Sequence, residues 1–140
     1  MIELTTKEWI SLASHIKKWI TNLKRAKTQR KNQSKKALRD VIKASQQTTI
    51  YLRMIRETGD KSLDREAELA MLWTDLSFEL EDINLLALAQ KCRLKGKYWA
   101  DPEKITSQST ANNQLQIVSS KLDDVEKNAS ALLKELLTKA

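Results

Sequence analysis

Residues 24–40 hold Lys24, Arg25, Lys27, Arg30, Lys31, Lys35, Lys36 and Arg39 against one acid, Asp40. Cations at this density attract phosphate, because each phosphate neutralised by a lysine or arginine releases condensed counterion. This short stretch carries as much net charge as the whole chain, +7 at neutral pH. A weaker cluster follows at residues 91–104, where Lys91, Arg93, Lys95, Lys97 and Lys104 meet Asp101 and Glu103. Tyr98 and Trp99 stand within it, and aromatic rings of this kind stack on unpaired bases. The candidate nucleic-acid contacts are therefore the eight cations of the first cluster together with Lys95, Lys97, Tyr98 and Trp99. Lysine also favours helix C-termini for dipole reasons alone, which gives part of this charge a purely structural explanation.

Little else in the chain has the spacing of chemistry. The one cysteine, Cys92, has no disulfide partner, and with the one histidine, His15, it is too few for a closed zinc site. His15 has no carboxylate or thiol at catalytic spacing. Asp75, Glu79, Glu81 and Asp82 are acids on one predicted helix, but no Glu-x-x-His accompanies them, so a ferritin-like metal centre is not expected. The expectation is a protein that is not an enzyme and takes no metal or cofactor. Met71, Phe78, Leu85 and Cys92 recur every seven residues on the side of that helix away from its main apolar seam. A bundle helix needs only one apolar stripe, so Met71, Phe78 and Leu85 are candidates for a partner interface.

The elements that carry these groups are helical by spacing. Two glycines and one proline in 140 residues leave few turns for a sheet protein. Thr5 to Glu8 reads as a capping box, followed by Trp9, Leu12, Ile16, Trp19, Leu23 and Ala26 at three- and four-residue steps. The pattern resumes with Leu38, Val41, Ser45, Thr48, Leu52 and Ile55, and ends at Gly59. A third helix is expected from Asp60–Ser62 to Gly96, with Trp73, Leu76, Leu80, Ile83, Ala87, Gln90 and Leu94 inward. The fourth starts at Asp101 and Pro102, and Leu115, Val118, Leu122, Val125, Ala129, Leu132 and Leu136 give it a coiled-coil heptad seam.

The fold class expected is all-α: residues 1–140 as a single up-down-up-down four-helix bundle with long third and fourth helices. The alternative is three long helices, should residues 28–33 be helical and fuse the first two. In the four-helix arrangement both basic connections share one end. No signal peptide or membrane span is legible, so the expected home is the cytoplasm. Two functions fit a basic bundle. One is contact with RNA or DNA phosphates through the basic end. The other is a protein adaptor that docks through helix three, self-associates as a homo-oligomer, and meets an acidic partner with its basic end.

Overall fold

The apolar spacing does fold as helix. In the computed structural model the backbone is described for residues 2–100 and 111–138, and side chains for residues 7–97 and 116–137. The elements are α1 (Ile2–Lys24), α2 (Thr28–Gln33), α3 (Lys35–Thr58), α4 (Leu63–Asp82), α5 (Leu86–Ala100) and α6 (Ala111–Thr138). There is no strand among the described residues.

Helix α1 starts at Ile2, so Thr5 lies inside it and is not its N-cap. At its other end two short bonds, Arg25 N–H to Asn22 O at 3.1 Å and Ala26 N–H to Leu23 O at 3.0 Å, tighten the last turn. Lys27 then adopts an extended backbone (φ −69°, ψ 157°) and turns the chain. Residues 28–33 are helical, yet the first two long helices do not fuse, because the break falls three residues earlier than expected. Ser34 has right-handed helical geometry (φ −94°, ψ −2°) and leads α2 into α3. Its buried hydroxyl donates to Arg30 O at 2.9 Å. Because of this joint, α3 does not begin at a free end where an anion would sit. Gly59, at φ 74°, closes α3 as its spacing foretold.

The expected third helix is two helices. Asn84 takes a positive φ of 66°. Leu85 N–H bonds back to Leu80 O and Asn84 N–H to Glu81 O, both at 2.9 Å. That pair of bonds is a Schellman C-cap with asparagine in the place glycine usually takes. The chain reverses there, and α5 returns along α4. Gly96 fits against Ala70 and Thr74, where a Cβ would meet Thr74 Oγ1 at 2.3 Å and Ala70 O at 3.1 Å. Arg93 pairs with Glu81 at 2.6 Å across the same hairpin.

Ser62 caps α4 by accepting from Arg65 N–H at 3.2 Å. Helix α4 runs antiparallel to α3, with Trp73 Nε1 donating to Thr48 Oγ1 at 2.9 Å and Lys36 bridging to Glu79 at 2.8 Å. Near the Ser62 end, Tyr51 donates its hydroxyl to buried Glu66 at 2.5 Å. Helix α1 lies parallel to α4, its Trp9 ring edge-on to Trp73 at 5.3 Å. Helix α6 packs along α3 and α1, and Lys17 reaches Asp124 at 2.8 Å.

The seams foreseen for α1, α3 and α6 are largely the buried ones. Trp9, Leu12, Ile16 and Leu23 are buried, as are Leu38, Val41, Ser45, Thr48 and Leu52, and Val118 through Leu136 at heptad spacing. The side chain of Leu115 and the expected start of the fourth helix at Asp101 and Pro102 lie outside what the structure describes. Past Asn84 the seam shifts phase. Ala87, Gln90 and Leu94 face outward, and Leu88, Ala89 and Cys92 are buried in their place.

Candidate functional site

The reversal at Asn84 decides where the charges lie. Helix α1, α2 and the start of α3 bring the first basic cluster to one pole of the molecule. The turn at residues 83–85 is at that same pole, since Ile83 and Leu85 line a cleft together with Trp19 and Ala26. From there α5 runs away, and its Lys95 meets Glu8 near the start of α1 at 3.3 Å. Sixteen helical residues separate Glu8 from Lys24, about 24 Å at 1.5 Å per residue. Lys95 and Lys97 therefore lie toward the pole opposite the first cluster, and among the described residues the single basic end drawn from four straight helices does not form.

At the α2 pole, Lys24, Arg25, Lys27, Arg30, Lys36 and Arg39 are exposed, and Lys31 and Lys35 are half-buried. No residue of α2 is buried, so this helix adds charge at the surface and nothing to the core. Of these eight cations only Lys36 forms an ion pair among the described residues, with Glu79. That hydrogen bond and the charge of Glu79 raise the Lys36 pKa above its ordinary value. Asp40, the lone acid of residues 24–40, has its carboxyl raised by burial and by Glu79 nearby.

The opposite pole uses its lysine differently. The Lys95 side chain is only 5% exposed. Its ammonium sits 5.0 Å from the centre of the Trp9 ring and bonds to Glu8. Burial lowers its pKa, and Glu8 opposes that shift. Lys95 is a buried packing residue. Lys97 is exposed but remote from the α2 pole. The side chains of Tyr98 and Trp99 lie outside the described residues, although their backbone belongs to α5 and so to this second pole.

An aromatic group that the spacing assigned to the core packs partly against it and also lies at the basic pole. Trp19 is half-buried and lines the cleft of about 180 Å³ between the end of α1, α2 and the 83–85 turn. Asn22, Arg30 and Gln33 rim it. None of their side chains, nor the Trp19 indole N–H, has a hydrogen-bond partner among the described residues. The available signal was its place at the seam's edge, with Asn22 polar one turn later.

The expected partner stripe is only partly present. Met71 is 61% exposed and Phe78 49%, with the Arg93 guanidinium 5.0 Å from the Phe78 ring centre. Leu85 instead packs partly against the core and Cys92 is fully buried, because the reversal takes both off the α4 face. Burial pushes the Cys92 thiol up to about 12, leaving it protonated and unreactive. His15 is exposed and among the described residues bonds only within its own helix, its Nδ1 2.7 Å from Ser11 O. Among the described residues no group of three or more His, Cys, Asp or Glu side chains could hold a metal, and no helix is long and apolar enough to cross a membrane.

Comparison with protein-family models, with curated proteins and with solved structures finds no match to the chain. The site is therefore read from its own residues.

Proposed function

We propose that this chain is a non-enzymatic binding module that contacts nucleic-acid phosphates through the α2 pole. The observation that carries this reading is α2 itself, a helix with no buried residue whose surrounding cations are exposed or half-buried and, Lys36 apart, without acid partners among the described residues. Side chains left in this state keep their full charge for an external anion. Lys24, Arg25, Lys27, Arg30, Lys31, Lys35 and Arg39 make the contacts, and Lys95 does not. Replacing Lys27, Arg30, Lys31 and Lys35 together with glutamate abolishes binding to labelled RNA and DNA at about 0.15 M salt, where the Debye length is still about 8 Å. Circular dichroism stays helical, since these residues lie outside the core. Absence of wild-type binding at that salt defeats the reading.

A second reading rests on the exposure of Met71 and Phe78: a protein adaptor or homo-oligomer docking through α4. Light scattering separates the two. Under the adaptor reading the wild type forms a dimer and Phe78→Ser a folded monomer, whereas the nucleic-acid reading needs neither.

A further inference from the structure

The phosphate reading explains the cations and leaves the cleft beside them without a use. Its volume, about 180 Å³, is below the roughly 300–1,000 Å³ of pockets that hold drug-sized ligands. It suits a single planar heterocycle. Leu23, Ala26, Ile83 and Leu85 give it apolar walls, and Trp19 gives it an indole. Two uncommitted primary amides, Asn22 and Gln33, stand at the rim. An amide presents both donors and an acceptor, which matches the mixed edge of a nucleobase. Of the exposed cations Arg30 lines this opening, and Lys24, Arg25 and Lys27 lie on the same stretch of chain, next to the lining residues Leu23 and Ala26.

Resting on the phosphate reading above, we propose that the cleft takes one unstacked base of a single-stranded nucleic acid, packed against Trp19. Asn22 and Gln33 meet its edge while the α2 pole holds its backbone. A duplex keeps its bases stacked and paired, so it engages the cations alone. This gives the protein a preference for single strands. It also moves the aromatic contact from Tyr98 and Trp99, on the remote pole, to Trp19.

Three probes test this: a twelve-nucleotide oligouridylate, an abasic phosphodiester strand of the same length, and duplex RNA of that length. Stacking of a base on an aromatic side chain is worth about 1–3 kcal/mol by alanine substitution. Trp19→Leu therefore weakens the oligouridylate by about fivefold or more and leaves duplex and abasic strands unchanged. Asn22→Ala with Gln33→Ala, two exposed positions, weakens the oligouridylate severalfold without touching the fold. As Trp19→Leu also removes packing, a second readout uses the wild-type sequence with fluorotryptophan. Oligouridylate shifts the Trp19 fluorine resonance, and the abasic strand leaves it in place. If the strand binds through the α2 cations while the Trp19 resonance stays unmoved, or if the abasic strand binds equally well, the cleft assignment is overturned and the phosphate reading survives. If no probe binds at about 0.15 M salt, both fall together.

Discussion

Lysine does opposite work at the two poles of this molecule. At the start of α1, Lys95 is folded under Glu8 and over the Trp9 ring, almost closed to solvent. At the other pole, Lys24, Lys27 and their neighbours surround a short helix that buries nothing. One cation is part of the architecture, and the others decorate it. A charge count along the chain adds both kinds together, and only the reversal at Asn84 shows that they belong to separate surfaces.

The sharpest contrast in stability is between Trp73 and the α2 cations. Trp73 is fully buried, donates to Thr48 and stacks edge-on with Trp9. Trp73→Ala lowers the unfolding free energy by about 3–5 kcal/mol in urea titrations. The fourfold glutamate variant of α2 changes it by less than about 2 kcal/mol, since surface substitutions shift stability by about 0.5 kcal/mol or less each. Equal losses would erase the distinction between the two regions.

The hairpin that separates the poles can be strained directly. Gly96→Ala drives a methyl into the Thr74 side chain and the Ala70 carbonyl, at a cost of about 1–3 kcal/mol. A neutral result in thermal melts would mean that α5 does not pack closely on α4. At the turn itself Asn84→Gly is neutral or stabilising, and Asn84→Val costs about 1–2 kcal/mol, because a branched residue resists φ 66°. Were the two variants equally stable, the turn would not have the left-handed geometry.

The smallest expected effect is a pH trend at Lys95. Its folded pKa lies below the ordinary 10.5, so between those two values the unfolded chain holds more protons than the folded one. Stability then rises with pH through that window. Lys95→Met removes the titrating group, and replacing a buried charge with an apolar side chain is often neutral or stabilising. Wild type should gain on Lys95→Met as pH climbs from neutral toward 10.5. A difference that stays flat with pH would mean that Lys95 is not desolvated.

The all-helical class, the seams of α1, α3 and α6, a cap within Asp60–Ser62 and the Gly59 stop were all legible, because each rests on local spacing or a local backbone preference. The reversal was not, because asparagine signals a left-handed cap far less strongly than glycine and the apolar spacing continues past it to Leu94. A trace remained in the phase change to Leu88, Ala89 and Cys92. The burial of Lys95 was hidden for a related reason. A lysine among lysines gives no local sign that its partners, Glu8 and Trp9, lie nearly ninety positions away. Trp19 kept its place against the core, and its share in the cleft was not legible, since a residue at the edge of a seam can face both.

The separation of the poles is tested most directly by the salt dependence of nucleic-acid binding. For a single strand, the logarithm of affinity falls with the logarithm of salt at a slope of about −0.7 per neutralised phosphate. Wild type making four or more contacts should show a slope of about −2.8 or steeper. Lys27→Glu, Arg30→Glu, Lys31→Glu and Lys35→Glu, introduced singly, should each weaken binding and flatten that slope by about one phosphate. Lys97→Glu at the other pole should leave both unchanged. A slope that flattens equally for Lys97→Glu, or one that ignores the α2 substitutions, would contradict a single phosphate-binding pole.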